Sequence, residues 1–161
     1  MGNKVILVTG VSGSGKTTVG EALAALFKVS FYDGDAFHPE ANIAKMNAGI
    51  PLDDQDRFSW LISMNEFIRE KLPSETLILA CSALKEKYRK LLSADIDPSL
   101  IKWVHLQGDY NIIYRRMSER KGHFMNADML RSQFESYEKP DYGIFLNIDQ
   151  DIKDIILQIN A

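Results

Sequence analysis

Residues 5–19 read Val5-Ile6-Leu7-Val8-Thr9-Gly10-Val11-Ser12-Gly13-Ser14-Gly15-Lys16-Thr17-Thr18-Val19, and the fold is decided within them. The first four are a continuous aliphatic run, the pattern of a parallel strand covered on both faces. From Lys16 the apolar period changes: Val19, Ala22, Leu23 and Leu26 fall at helical spacing, which predicts a helix over residues 16–28. Between strand and helix, residues 10–17 satisfy G-x-x-x-x-G-K-[ST] in full, in the context that gives this motif its meaning. Its glycines let the backbone turn successive N–H groups toward phosphate oxygens, and the helix N-terminus adds partial positive charge. Lys16 supplies a cation for β- and γ-phosphates, and the Thr17 hydroxyl a ligand for Mg²⁺. A Gly-rich tight turn beside an exposed lysine is the plainer reading, and the strand–helix context argues against it.

Outward from this loop the same alternation continues. Strands are predicted at residues 29–32, 76–81, 101–106 and 144–148, with helices at 39–48, 53–72, 84–92, 109–119, 126–137 and 152–159. Asp53 or Asp54 is the expected cap of the longest helix, whose stripe is Phe58, Leu61, Ile62, Asn65, Ile68 and Leu72. Five short apolar strands separated by helices predict an α/β fold with a mainly parallel sheet, since parallel neighbours need crossover connections. Ligands of such sheets bind at the carboxyl ends of the strands.

Composition sets the outer bounds. The chain has 161 residues, 45% hydrophobic and 25% charged, with no low-complexity tract or repeat, which predicts one globular domain over residues 1–161. Nineteen Lys and Arg against 22 Asp and Glu leave a net charge of −3, so no global positive field recruits nucleic acid or an anionic membrane. No apolar run approaches the ~20 residues of a membrane span. The single cysteine, Cys81, reads as a small buried residue; with no internal disulfide and no Cys/His metal spacing, a cytoplasmic location is expected.

Other candidates cluster at strand ends. Asp33-Gly34-Asp35 follows the second strand: if the strand continues, two carboxylates two residues apart share a side, one for Mg²⁺ and its water, one to orient or deprotonate a hydroxyl. A solvated Asp-Gly turn is the competing reading. His38 is either a ligand contact or a packed histidine, and Arg57, Lys85 and Arg89 are either site cations or parts of solvated helix faces. Arg115, Arg116, Arg120, Lys121 and His123 crowd a helix end. They read as favourable charge at a helix C-terminus, or as a lid closing over triphosphate and excluding water.

Together with the loop, the sets Asp33-Gly34-Asp35, His38-Pro39, Asn42, Lys45-Met46, Gly49, Pro51-Leu52, Asp56-Arg57, Cys81-Ser82-Ala83-Leu84-Lys85, Tyr88-Arg89, Gly108-Asp109, Gly122-His123-Phe124 and Gln133-Phe134-Glu135 resemble the gluconokinases over nearly the whole chain. That resemblance implies ATP-dependent phosphorylation of D-gluconate at its terminal hydroxyl, giving 6-phosphogluconate. It implies a P-loop kinase fold, a three-layer α/β arrangement with a five-stranded parallel sheet, an acceptor-binding helical segment at about residues 36–72 and a lid at about 116–128. A homodimer is also implied. ATP would be held by Gly10, Ser12, Gly13, Ser14, Gly15, Lys16, Thr17 and Thr18 with Arg116 and Arg120, and Mg²⁺ by Thr17 and Asp33. Gluconate would meet Asp35, His38, Arg57, Lys85 and His123, while Lys16, Asp35 and Arg120 would carry catalysis. Two alternatives accompany this reading: a shikimate kinase-like enzyme, against which the His-Pro and Cys-Ser-Ala-Leu-Lys blocks speak, and a nucleotide switch, for which the sequence lacks Asn-Lys-x-Asp.

Overall fold

The computed structural model describes residues 2–119 and 127–159. Five strands, β1 (Val5–Thr9), β2 (Ser30–Asp33), β3 (Leu77–Ala80), β4 (Ile101–Gln107) and β5 (Ile144–Asn147), form one parallel sheet in the order β2-β3-β1-β4-β5. Among the described residues, seven helices connect and cover them: α1 (Lys16–Phe27), α2 (Glu40–Asn47), α3 (Asp54–Lys71), α4 (Glu86–Leu92), α5 (Tyr110–Ser118), α6 (Ala127–Ser136) and α7 (Ile152–Leu157). Short 3-10 turns at Gly34–Phe37 and Pro98–Leu100, absent from the expectations above, complete the described elements.

The continuous apolar runs are explained by burial on both faces. Val5, Leu7, Leu77 and Leu79 face one layer with Trp60, Leu61, Met64 and Ile68 of α3 and Tyr88 and Leu92 of α4. Their alternates Ile6, Val8 and Ile78 face the other layer, with α1, α5, α6 and α7. Because strand side chains alternate, a strand buried in this way has no polar phase at all. Two helix stripes shift from their expected positions. Phe58 is exposed and Trp60 takes the buried place, and Leu26 of α1 is exposed while Gly20 packs against Phe31.

α3 begins in a capping box. Asp53 accepts from the Asp56 N–H at 2.8 Å, and Asp56 accepts from the Asp53 N–H at 3.0 Å, so Asp53 rather than Asp54 is the cap. Asn65 of the same helix donates to Leu92 O and Ala94 O, both at 2.8 Å, satisfying carbonyls at the end of α4. Asp109 sits at the N-cap of α5 without a side-chain capping bond. Among the described residues, no helix is long and apolar enough to cross a membrane.

Candidate active site

β1 delivers the loop of residues 10–15 to the carboxyl edge of the sheet, between the ends of β3 and β4. Inside the loop Ser14 N–H donates to Val11 O at 3.2 Å, and the Lys16 ammonium reaches the same carbonyl at 3.0 Å. Ser14 Oγ is buried with no hydrogen-bond partner among the described residues. Thr17 Oγ1 donates to Asp33 Oδ2 at 3.3 Å, which brings the two oxygen donors expected to serve a hard cation side by side. Among the described residues no three His, Cys, Asp or Glu side chains gather as a metal cage.

Of the two readings the sequence left open for the acidic pair, a continued strand and an Asp-Gly turn, the structure has the turn. β2 ends at Asp33, and the chain then tightens into the 3-10 turn that Asp33 caps, its Oδ1 accepting from the Asp35 N–H at 3.0 Å. Gly34 is required because a Cβ there would stand 2.4 Å from Ala80 O, and its own carbonyl accepts from Trp60 Nε1 at 2.8 Å. The turn therefore splits the pair: Asp33 faces Thr17, whereas Asp35 lines a cavity beyond Lys16. An Asp-Gly turn and a pair of placed carboxylates turn out to be the same feature.

That cavity, about 460 Å³, is lined by Ser12, Lys16, Asp35, His38, Arg57 and Ser82, with Ile43, Met46, Leu52, Trp60 and Met129 among its apolar walls. His38 is buried and stacks on Trp60, ring centroids 4.1 Å apart. Asn42 Nδ2 donates to Asp56 O at 2.8 Å and lies 3.2 Å from His38 Nδ1. An amide nitrogen can only donate, so Nδ1 is the acceptor and the proton resides on Nε2. Burial, assisted by the Arg57 charge, pushes the His38 pKa down to about 4, so the ring is a neutral donor at physiological pH.

Arg57 enters the cavity from the first turn of α3. One of its amino groups is held by Leu52 O and by Tyr88 Oη at 3.3 Å, and its guanidinium lies over the Tyr88 ring at 5.4 Å. Lys85 is not among the residues lining the cavity; its ammonium pairs with Asp54 at 3.6 Å, and Asp54 also binds Lys87 and the Tyr88 hydroxyl. Arg89 proves to be internal. It is 2% exposed, donates to Ala83 O at 2.8 Å and Glu138 O at 2.7 Å, and pairs with Glu86 at 3.0 Å, so it ties the segment after β3 to the chain after α6. Cys81 is buried, and burial raises its thiol pKa to about 12, which leaves no nucleophile there.

A second cavity of about 280 Å³ opens on the other side of the loop, against Gly13, Ser14, Gly15, Thr18, Arg116, Ile148 and Gln150. Arg116 Nη2 donates to Ile148 O at 2.9 Å, joining the end of α5 to the turn after β5. Arg120 and His123 lie outside the described residues, as does most of the lid expected over 116–128. The phosphate loop thus separates two cavities, with Lys16 on one side and Thr18 and Arg116 on the other. Trp60, Gln133 and Gln150 were not anticipated as site residues. Only Gln133 carried a signal, its place in the Gln-Phe-Glu block, and that block implied no role.

This arrangement can be compared with known proteins. A family model described as shikimate kinase matches residues 12–155. A probable gluconokinase of Xenopus tropicalis is 42% identical over 98% of this chain and 92% of its own length. The chain belongs to the gluconokinase family. The thermosensitive gluconokinase of Escherichia coli K12 is 40% identical, across 98% of this chain and 86% of that relative. The crystal structure of a gluconokinase from Sinorhizobium meliloti 1021 superposes with a TM-score of 0.86 at 39% identity, covering 96% of this chain and 88% of that one. As a gluconokinase-family member on the P-loop kinase fold, the chain is a kinase with ATP as its cosubstrate.

Proposed function

We propose that the protein transfers the γ-phosphoryl group of ATP to the terminal hydroxyl of D-gluconate, giving 6-phosphogluconate and ADP. The observation that carries this reading is the single cavity in which Lys16 of the phosphate loop meets Asp35, His38 and Arg57. A small polyol acid needs one cation for its carboxylate, neutral hydrogen-bonding groups for its hydroxyls, and one carboxylate beside the reacting oxygen. Arg57, His38 with Ser82, and Asp35 supply these in turn.

In the reaction the acceptor oxygen bonds to the γ-phosphorus as the bond to the β–γ bridging oxygen breaks, and Asp35 receives the hydroxyl proton. Lys16 stabilises charge on the transferring group, and the loop N–H groups hold the donor phosphates. Thr17 and Asp33 would hold Mg²⁺, whose contribution when bound is to neutralise phosphate charge; two protein oxygens suit an ion that keeps waters and phosphate oxygens in its shell. The second cavity, beside Thr18, Arg116 and Gln150, suits the nucleoside end of ATP. Residues 36–72 serve as the acceptor segment and residues 116–128, with Arg120 and His123, as the lid of a single domain. The family resemblance supports a homodimer, and the lone buried thiol supports a cytoplasmic setting.

The test is an ADP-release assay with gluconate, other sugar acids and shikimate as acceptors. Gluconate should give the highest kcat/KM. Turnover with shikimate but not gluconate would overturn the assignment, and nucleotide binding with no acceptor-dependent turnover would favour a switch. The shikimate kinase-like alternative is disfavoured by near-full-length identities of 38–42% to gluconokinases.

A further inference from the structure

Gln133 of α6 ties the phosphate loop to the helix that walls the first cavity. Its Oε1 accepts from the Ser12 N–H at 2.8 Å and its Nε2 donates to Ser12 Oγ at 3.1 Å, across 121 residues of chain. The orientation of the carboxamide is fixed by the partner: a backbone N–H can only donate, so the oxygen must face it. Gln133 also lines the acceptor cavity, alongside Ser132 and Met129 of the same helix.

The neighbouring contacts make this a clamp. Gly13, at φ +77°, presses its Cα against α5, where a Cβ would come 2.6 Å from Met117 Cγ. On the next residue of α6, Phe134 packs edge-on to Tyr110 of α5 at 5.4 Å between ring centroids, and Leu130 is fully buried. The tip of the phosphate loop is thereby gripped by α5 on one side and by a single side chain of α6 on the other. A loop whose N–H groups must be aimed at phosphate before phosphate arrives gains affinity from such fixing, because less ordering is left to accompany binding.

We propose that Gln133 is a positioning residue for phosphoryl transfer, holding Ser12 so that the phosphate loop is set from the helix that walls the acceptor cavity. It acts through the loop and needs no contact with ATP. The proposal rests on the kinase reading, but its decisive measurement contains no acceptor, so an error about gluconate would leave it standing.

The experiment measures the affinity of a nonhydrolysable ATP analogue by calorimetry, without gluconate, for the parent, Gln133→Met, Ser12→Ala and the double variant. Met keeps the length of the side chain and removes both hydrogen bonds. Two neutral hydrogen bonds correspond to about a tenfold loss for Gln133→Met, and one to about threefold for Ser12→Ala. In the Gln133→Met background, Ser12→Ala should cost less than about 1.5-fold further, since its partner is gone. KM for ATP should rise with the analogue's dissociation constant. Unchanged analogue affinity in folded Gln133→Met, or losses that multiply independently in the double variant, would overturn the proposal. If Gln133→Met fails to fold, Gln133→Ala takes its place, since it removes both hydrogen bonds without putting a new group against Ser12: unchanged analogue affinity in that variant refutes the clamp.

Discussion

Arg57 and Lys85 make opposite predictions on removal, although the sequence offers both as cations for the acceptor carboxylate. Arg57 lines the acceptor cavity, and its guanidinium is braced by Leu52 O and the Tyr88 ring. Lys85 is outside that lining and already paired with Asp54 at 3.6 Å. A hydrogen bond to a charged partner contributes about 1.5–3 kcal/mol, so Arg57→Met should lower kcat/KM for gluconate by about 10- to 100-fold. Most of the loss should appear in KM, because the carboxylate is remote from the reacting hydroxyl and is held equally in ground and transition states. Lys85→Met should change kcat/KM by less than about twofold, the scale of an exposed ion pair. Arg57→Lys should recover only part of the loss, since an ammonium keeps the charge but not the planar fork. The assay is ADP release under saturating ATP, with a neutral hexitol of the same length as a second acceptor. Loss of charge recognition should vanish for the hexitol, whereas a collapsed cavity should slow both acceptors alike. Equal losses for Arg57→Met and Lys85→Met with gluconate, or an equal Arg57→Met loss with the hexitol, would falsify the assignment of the carboxylate to Arg57.

Asp35→Asn should lower kcat by about 10²–10⁴ if Asp35 takes the hydroxyl proton. A wild-type rate in that variant, measured beside an inactive Lys16→Ala control, would remove Asp35 from the chemistry. Stability should fall as pH drops from about 6.5 toward 4, because burial lowers His38 and His105 to about 4 and only the unfolded chain takes up their protons in that window. The slope reaches about 1.4 kcal/mol per pH unit for each histidine; urea midpoints flat between pH 7 and 4.5 would contradict it. Asn42→Asp should replace a donor to His38 Nδ1 with an acceptor and raise the His38 pKa, so that kcat/KM acquires a pH dependence between about 5 and 8. A profile unchanged from the parent's would refute the tautomer deduced from Asn42.

What could be read from the sequence was what is locally determined. The phosphate loop and α1 follow from a contiguous motif, and the strands follow from runs whose two phases are both buried, as in Val5–Thr9. The Asp53 cap was one of two adjacent candidates because its partner, Asp56, is three residues away. Arg89 could not be read, since its burial depends on carbonyls at Ala83 and Glu138 and on Tyr142, 53 residues along the chain. At Asp33-Gly34-Asp35 the sequence left a continued strand and an Asp-Gly turn both open; the 3-10 turn directs Asp35 to the cavity, and the close approach of Ala80 O that makes glycine necessary at 34 lies 46 residues away in the chain. Trp60 was missed because an apolar stripe does not show which member has a polar handle fastened to the carbonyl between the two aspartates.

The acidic balance of the chain bears on how an anionic acceptor is recognised. Of the cations around the acceptor segment, Lys45 is neutralised by Asp56 at 2.8 Å, and Lys85 and Lys87 both face Asp54. Arg89 is occupied by carbonyls and Glu86. The lysine pairings offset positive charge on the exposed side of the segment, Arg89 is taken up inside the fold, and Arg57 and Lys16 line the cavity itself. His38, in the same lining, is kept from adding a further positive charge: it is buried, feels the charge of Arg57, and receives a hydrogen bond from Asn42 on the nitrogen that would otherwise gain the proton. A neutral His38 can bind a hydroxyl without competing for the carboxylate. The cavity lining thus combines two cations, Arg57 and Lys16, with the Asp35 carboxylate and the uncharged donors His38 and Ser82, a set of groups that suits an acceptor carrying both a carboxylate and hydroxyls.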